Sequence, residues 1–117
     1  MPDLPERSIR IEPNPKRVSV HFNGQAIAST TRALALYEGN YPPVQYIPRE
    51  DVNMSLLTRT AHTTHCPYKG DAAYYSIQAG AREEPNAVWT YEEPISRVDA
   101  IRGYLAFYPD KVELRTE

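Results

Sequence analysis

Hydrophobic and polar residues alternate along several short stretches of this chain, which is the pattern of half-buried β-strands. In residues 18–22, valine and phenylalanine alternate with polar side chains. Asn23 and Gly24 separate this run from a second apolar-polar run in residues 25–30. Asn-Gly is the dipeptide most typical of a two-residue hairpin turn, because both positions need positive φ. The pattern therefore predicts a β-hairpin.

Similar alternation predicts further short strands at 32–38, 44–47, 72–79, 87–91 and 104–108, with 112–115 pairing back on the last of these as a terminal hairpin. Residues 48–52 are expected to form one helical turn. Residues 53–71, mostly polar, and residues 80–86 are expected to form loops and turns. A single short helix is predicted after Pro94, where apolar residues recur at helical spacing until Gly103.

Composition supports a small, β-rich domain. The chain has 117 residues, which corresponds to one domain. Its 11 prolines interrupt helices, and its 9 tyrosines suit pleated, half-buried surfaces. We predict a mainly β, compact, single-domain antiparallel sandwich or partly closed barrel with one short helix. Residues 1–16 are interpreted as an extended, Pro-rich N-terminal arm and residues 17–117 as the domain.

Charge and apolar run length narrow the classes of partner. The formal net charge is −2, so nothing draws the chain generally toward nucleic acid. No apolar run is long enough to span a membrane, and the first residues lack the features of a signal peptide. With a single cysteine, we expect a reduced, cytoplasmic protein without an internal disulfide.

Four ordered motifs resemble the hallmark segments of the family catalogued as domain of unknown function 427. They are YPPVQYIPREDV at 41–52, THCPYKGDAAYYS at 64–76, NAVWTY at 86–91 and IRGYLAFY at 101–108. The resemblance runs from about Lys16 to the C-terminus. It implies a mainly antiparallel fold near the β-tent architecture of Mss4-like and methionine-sulfoxide-reductase domains. It implies no established activity.

The family also carries a nucleotidyltransferase-type label, which the residues support poorly. Phosphoryl transfer needs a phosphate-cradling loop or paired metal-binding carboxylates, and the five glycines are not clustered. One cysteine excludes the paired Cys-x-x-Cys zinc knuckles of several β-tent relatives. A metal site at His62, His65 and Cys66 is disfavoured because neighbours on an extended chain point to opposite sides. We expect no metal, and no cofactor is identifiable.

Two residues are candidates for catalytic chemistry. Cys66 is a nucleophile if nearby histidines or Lys69 stabilise its thiolate, and otherwise it is a packed, inert thiol. Asp51 is a candidate general acid or base, although an acidic residue in a helix-initiating turn is also common for structural reasons.

Further residues are predicted to bind a ligand. The tyrosines and tryptophan exceed what a small core needs, and tyrosine keeps a polar tip. We expect a polar-aromatic pocket framed by residues 46–51 and 66–75. The predicted ligand-binding residues are Arg32, Glu38, Tyr46, Arg49, Lys69, Tyr75, Trp89 and Tyr91.

The leading hypothesis from the sequence is a small-molecule-binding β domain, with an enzymatic role left open. One alternative is a non-catalytic module that binds another protein or forms a homodimer through exposed sheet edges. Nucleotide processing is a further alternative, and it rests on the family label alone.

Overall fold

The computed structural model describes residues 8–117, and within them the chain forms ten strands and three short 3₁₀ helices. The strands are β1 Ile9–Asn14, β2 Val18–Phe22, β3 Gln25–Thr30, β4 Ala33–Glu38, β5 Val44–Tyr46, β6 Leu57–Cys66, β7 Gly70–Ala79, β8 Arg82–Tyr91, β9 Leu105–Phe107 and β10 Glu113–Thr116. The 3₁₀ helices are Arg49–Asp51, Met54–Leu56 and Ser96–Ile101.

The strands form three sheets, with orders β1-β4-β5, β10-β2-β3 and β6-β7-β8-β9. Every neighbouring pair is antiparallel. The mainly β, antiparallel fold predicted from the sequence is confirmed. The sheets do not close into a barrel and instead stack as a sandwich, with the four-stranded sheet in the middle.

Both faces of this central sheet carry a hydrophobic core. On one face, Tyr75, Ile77 and Val88 pack with residues of the β10-β2-β3 sheet such as Val20. On the other face, Tyr74, Tyr91 and Ala106 pack with Leu36 and Tyr46 of the β1-β4-β5 sheet and with the 3₁₀ helix Ser96–Ile101. Alternate side chains of β7 therefore pack into two separate hydrophobic cores, one on each face of the sheet.

The two outer sheets cover different ends of the central sheet. On β7, Tyr75, Ile77 and Ala79 contribute to the core shared with β10-β2-β3, whereas Ala72 and Tyr74 contribute to the opposite core. The central strands β6, β7 and β8 have 10 residues each, and β2 has 5. At about 3.3 Å per residue, the central strands extend far beyond the sheet that covers them. Part of each face is thus left open.

A backbone bridge joins the central sheet to an outer one. The amide N–H of Ile47 donates to the carbonyl of Leu105, and the N–H of Leu105 donates back to Ile47, both at 2.8 Å. Ile47 directly follows β5, so this bridge fixes the corner between the two sheets. A second bridge, between Ala28 and Val52, holds the chain after the first 3₁₀ helix against β3.

Several predicted elements are confirmed. The 18–30 hairpin forms around Asn23 and Gly24, whose φ values are 52° and 76°. The strands predicted at 32–38, 44–47, 72–79, 87–91 and 104–108 are present with small boundary shifts, and the helical turn at 48–52 is the 3₁₀ helix Arg49–Asp51.

Other predictions are wrong. Most of the loop expected at 53–71 is the ten-residue edge strand β6, whose side chains are largely exposed and therefore show no apolar alternation. Residues 82–86, expected in a turn, begin β8. The helix expected after Pro94 is a kinked 3₁₀ helix with Val98 and Ile101 buried and Ile95 exposed.

The terminal strand also pairs differently from the prediction. Residues 112–115 were expected to pair with the preceding strand, but β10 adds to β2 at the edge of an outer sheet. In the N-terminal arm predicted at residues 1–16, Ile9–Asn14 is extended and pairs with β4, while residues 1–7 lie outside the described residues. No helix within residues 8–117 has the length and apolarity needed to cross a membrane.

The packing of the central sheet gives a direct stability prediction. Ile77→Ala should lower the free energy of unfolding by about 3 kcal/mol, because it opens a cavity beneath a fully buried side chain. Gln78→Ala, at the exposed neighbouring position on the same strand, is the matched control and should change stability little. Urea unfolding measures both. Equal effects of the two changes would contradict the assignment of the faces of β7.

Candidate functional site

An open groove lies on the uncovered end of the central sheet. It has a volume of about 570 Å³, compared with about 450 Å³ or less for four other depressions of the described surface. The groove is lined by residues of the two strands β6 and β7, by the segment that follows β8 and by the residue that follows the 3₁₀ helix Ser96–Ile101. These residues, called here the charged groove, are Arg59, Thr63, Asp71, Ala72, Ala73, Glu92, Glu93 and Arg102.

The strand register explains why these residues meet. Residues directly opposite each other in adjacent strands point to the same face of a sheet. Arg59 lies opposite Tyr75, and Thr63 lies opposite Ala73, so all four share the face that the β10-β2-β3 sheet covers only in part. Ala73 is small and buried, and it forms part of the floor. The groove therefore lies where the central sheet extends beyond the outer sheet that covers it, a region called here the overhang.

Ion pairs shape the walls of the charged groove. The guanidinium of Arg59 donates to both carboxylate oxygens of Glu92, at 3.2 and 3.3 Å. Arg102 donates to the Glu92 carbonyl at 3.2 Å and pairs with Asp99 at 2.7 Å. The Asp71 carboxylate forms a hydrogen bond with His65 Nδ1 at 2.6 Å. The lining thus presents both signs of charge, held by exposed pairs that are individually weak.

Tyr75 lies near both Arg49 and the groove residue Arg59, although neither Tyr75 nor Arg49 lines the groove. Arg49 donates to the Tyr75 hydroxyl at 3.2 Å, and its guanidinium carbon lies 5.8 Å from the centre of the Tyr75 ring. The Arg59 guanidinium carbon lies 5.9 Å from the same ring centre. Two predicted ligand-binding residues, Arg49 and Tyr75, are therefore linked to the groove only through Arg59.

A second group of predicted residues meets on the opposite face of the sheet. Lys69 donates to the Glu38 carboxylate at 2.6 Å, and the two side chains are only 15% and 11% exposed. Trp89 donates its indole N–H to the Tyr46 hydroxyl at 3.3 Å, and the two rings are perpendicular. The sequence prediction placed these four residues in one site, and the structure shows them as two contacting pairs.

Electrostatics connects these pairs to Tyr91 and Cys66. Burial raises the pKa of Tyr46 well above its ordinary value, although the hydrogen bond from Trp89 opposes the rise. Burial likewise raises the pKa of Tyr91, and Tyr46 and Cys66 lie close enough to add to that rise. Both phenols therefore stay protonated at neutral pH, as hydrogen-bond donors or packing groups rather than bases.

Asp51 lies in a third place, at the turn between β3 and β4. Its carboxylate accepts a hydrogen bond from the Thr30 hydroxyl at 2.6 Å and one from Arg32 at 3.1 Å. The Thr30 hydroxyl also accepts the backbone N–H of Arg32 at 2.9 Å. These bonds tie the 3₁₀ helix Arg49–Asp51 to the neighbouring turn. The Thr30 hydroxyl and then Arg32 hold the pKa of Asp51 below its usual value, against the opposing effect of burial.

The predicted catalytic residues do not share a cavity among the five compared above. Asp51 lines a shallow depression with β3 residues, and Cys66, which is partly buried, lines none of the five. The ten predicted site residues thus divide among three places: the Arg49–Tyr75 pair, the Glu38–Lys69 and Tyr46–Trp89 corner, and the Thr30–Asp51–Arg32 turn. The single pocket expected from the sequence does not appear as one cavity.

Sequence reasoning missed most of the charged groove. Arg59 and Thr63 lie in the segment predicted to be a loop, Arg102 lies in the predicted helix, and Glu92 lies between the predicted strand of residues 87–91 and that helix. The available signal was the density of threonine between Thr58 and Thr64, since β-branched residues favour strands. An edge strand recognised there would have placed Arg59 and Thr63 beside the strand of residues 72–79.

Within the described part of the chain, no three histidine, cysteine, aspartate or glutamate side chains are grouped closely enough to hold a metal ion. The candidate site is a charged surface groove on an antiparallel β domain. A family model described as domain of unknown function DUF427, labelled NTP_transf_9, matches residues 10–117, and the chain belongs to this family. The resemblance seen in the four sequence motifs is confirmed. No curated protein matches the chain significantly.

The Asp51 hydrogen bonds predict a pH-dependent stability. A carboxyl whose pKa is lowered in the folded state stabilises that state above its ordinary pKa, and this contribution is lost as the pH falls through the folded-state pKa. Thr30→Val removes the hydroxyl, so the Asp51 pKa should rise and the protein should lose about 1 kcal/mol at neutral pH. Urea unfolding at several pH values, with the Asp51 pKa followed by NMR, measures both effects.

Thr30→Ser keeps the hydroxyl and is the control for this experiment. Part of the Thr30→Val loss should persist in acid, because the bond to the Arg32 N–H does not titrate. The remainder should disappear once Asp51 is protonated. A loss that is the same at every pH would contradict the role of the Asp51 carboxylate.

The buried Lys69–Glu38 pair predicts a large structural effect. Lys69→Ala removes the ammonium from beside the buried Glu38 carboxylate and should cost about 3 kcal/mol of unfolding free energy. Lys111→Ala is the control, since Lys111 lies 3.9 Å from Glu84 in a more exposed pair, and it should cost well under about 1 kcal/mol. Chemical denaturation of both variants checks this. Similar small losses would show that the Lys69–Glu38 pair is solvated in solution.

Proposed function

We propose that this protein is a small-molecule-binding domain and that its ligand occupies the charged groove. The observation that carries the proposal is the uncovered end of the central sheet, which leaves a cavity of about 570 Å³. Cavities of this size, lined by a few convergent polar groups, are typical of small-ligand sites. The ligand is expected to be polar, because most of the lining is charged.

The rigidity of the walls supports this proposal. Arg59, Thr63, Asp71 and Ala73 lie on paired strands rather than on a free loop. The pairing of β6 shifts in register between Arg59 and Thr63, but each of these residues lies opposite a residue of β7. Side chains on paired strands are positioned more accurately than side chains on loops, so less conformational entropy is lost when a ligand binds. The exposed ion pairs of the groove can reorganise around a ligand at low cost, since each is worth little in water.

Blocking the groove tests the proposal. A metabolite screen by thermal shift identifies ligands that raise the melting temperature of the full chain. Thr63→Trp fills the groove from an exposed strand position, and it should reduce the affinity for a true groove ligand by at least about tenfold, because one lost pocket contact of 1.4 kcal/mol is already tenfold. Calorimetric titration measures the change.

Thr58→Trp is the matched control for this substitution. Thr58 is exposed on the same strand, lies opposite Ser76 and does not line the groove. The Thr58→Trp substitution should leave the affinity for the groove ligand unchanged. Cys66→Ser provides a further comparison, because the Cys66 side chain shares the opposite sheet face with the Glu38–Lys69 corner. Ligand affinities that survive Thr63→Trp but fall with Cys66→Ser would move the site to that corner and overturn the proposal.

A further inference from the structure

We infer that the ligand of the charged groove carries an anionic group, a carboxylate or a phosphate, and that this group binds between Arg49 and Arg59 beside Tyr75. This inference rests on the proposed function of the groove. It assigns an anion subsite at the wall of the groove that Arg59 forms. The 3₁₀ helix Arg49–Asp51 supplies one guanidinium, and the edge strand β6 supplies the other.

The two guanidinium groups converge on one aromatic ring. Their central carbons lie 5.8 and 5.9 Å from the centre of the Tyr75 ring. Tyr75 itself is buried, at 8% exposure. A cation over an aromatic ring is mildly favourable, but two like charges brought toward the same ring repel each other. An anion bound between them would turn this repulsion into attraction.

Arg49 is the more informative of the two arginines. Among the described residues, no carboxylate lies within ion-pair distance of its guanidinium, and the Tyr75 hydroxyl is its one hydrogen-bond acceptor. The neighbouring acids Glu50 and Asp51 instead face Arg32. Arg49 is half-buried, so its charge is partly removed from water without a counter-ion. A ligand anion would supply that counter-ion.

Arg59 shows the binding geometry that such an anion would adopt. Its two terminal nitrogens hold the two oxygens of the Glu92 carboxylate at 3.2 and 3.3 Å, which is the forked arrangement that carboxylates and phosphates share. The Arg59 and Glu92 side chains are 50% and 44% exposed, so this pair is weak. Glu92 therefore occupies the Arg59 fork as an internal competitor that a ligand anion can displace.

Side-chain NMR of the arginines tests the subsite directly. The full chain is titrated with inorganic phosphate and, separately, with acetate, at constant ionic strength. We expect saturable shifts of the Arg49 and Arg59 Nε–H signals and no saturable shift at Arg115, an exposed arginine paired with Glu113 on β10. Parallel shifts at all three arginines would show unspecific screening and overturn the inference.

Substitutions of the two arginines and of Glu92 should change the phosphate affinity in opposite directions. Arg49→Gln and Arg59→Gln should each weaken phosphate binding about tenfold, the effect of one charged hydrogen bond. Glu92→Gln should strengthen binding about threefold, because it removes the weak internal competitor. Arg115→Gln is the control and should change nothing. Tighter binding on loss of a carboxylate cannot arise from a general loss of structure, and weaker or unchanged binding in Glu92→Gln would overturn the inference.

The outcomes separate this inference from the proposed function. A ligand found by screening that is lost in Thr63→Trp, yet keeps its affinity in Arg49→Gln and Arg59→Gln, overturns the anion subsite and leaves the groove as the binding site. A ligand that is insensitive to Thr63→Trp overturns the groove itself. A ligand that loses affinity in all three variants, while Arg115→Gln has no effect, supports both.

Discussion

The structure depends on a mismatch of strand length between the central sheet and the sheets that cover it. Strands of 10 residues in the middle are packed against strands of 3 to 6 residues on both sides. A short outer sheet can bury only part of a long one, and the two outer sheets bury opposite ends of its opposite faces. The face of the central sheet is apolar where an outer sheet covers it and carries charged side chains where it is uncovered. The charged groove is a consequence of this mismatch.

The same mismatch in strand length separates buried ion pairs from ion pairs that are exposed to water. Where an outer sheet covers the central one, Lys69 and Glu38 are paired at 2.6 Å with little exposure, and burial raises the pKa of Tyr46 and Tyr91. Such a pair is held by its surroundings and is expensive to disturb. In the overhang, Arg59 and Glu92 are paired in contact with water and can exchange partners. We therefore assign the candidate ligand-binding residues to the exposed end of the central sheet. The buried Lys69–Glu38 pair, in the covered part, is assigned a structural role.

The sequence was sufficient for elements that bury at least one face. The Asn23-Gly24 hairpin and the strand of residues 72–79 were predicted because apolar and polar positions alternate in them. It was insufficient for β6, an edge strand with both faces largely exposed, where burial imposes no pattern. It was also insufficient for the partner of β10, since pairing with β2 depends on contacts more than 90 residues apart in sequence. The groove is built on β6, so its residues were missed for the same reason.

The division of the predicted site among three places has a simple geometric origin. The candidates were chosen from continuous motifs, but a strand directs adjacent side chains to opposite faces. Tyr75 therefore packs into the core shared with the β10-β2-β3 sheet while Tyr74 packs into the opposite core, and the same rule separates Tyr46 from Ile47. A binding site on this fold combines residues from several segments, as the charged groove does with Arg59 and Thr63 of β6, Ala73 of β7 and Glu92 after β8.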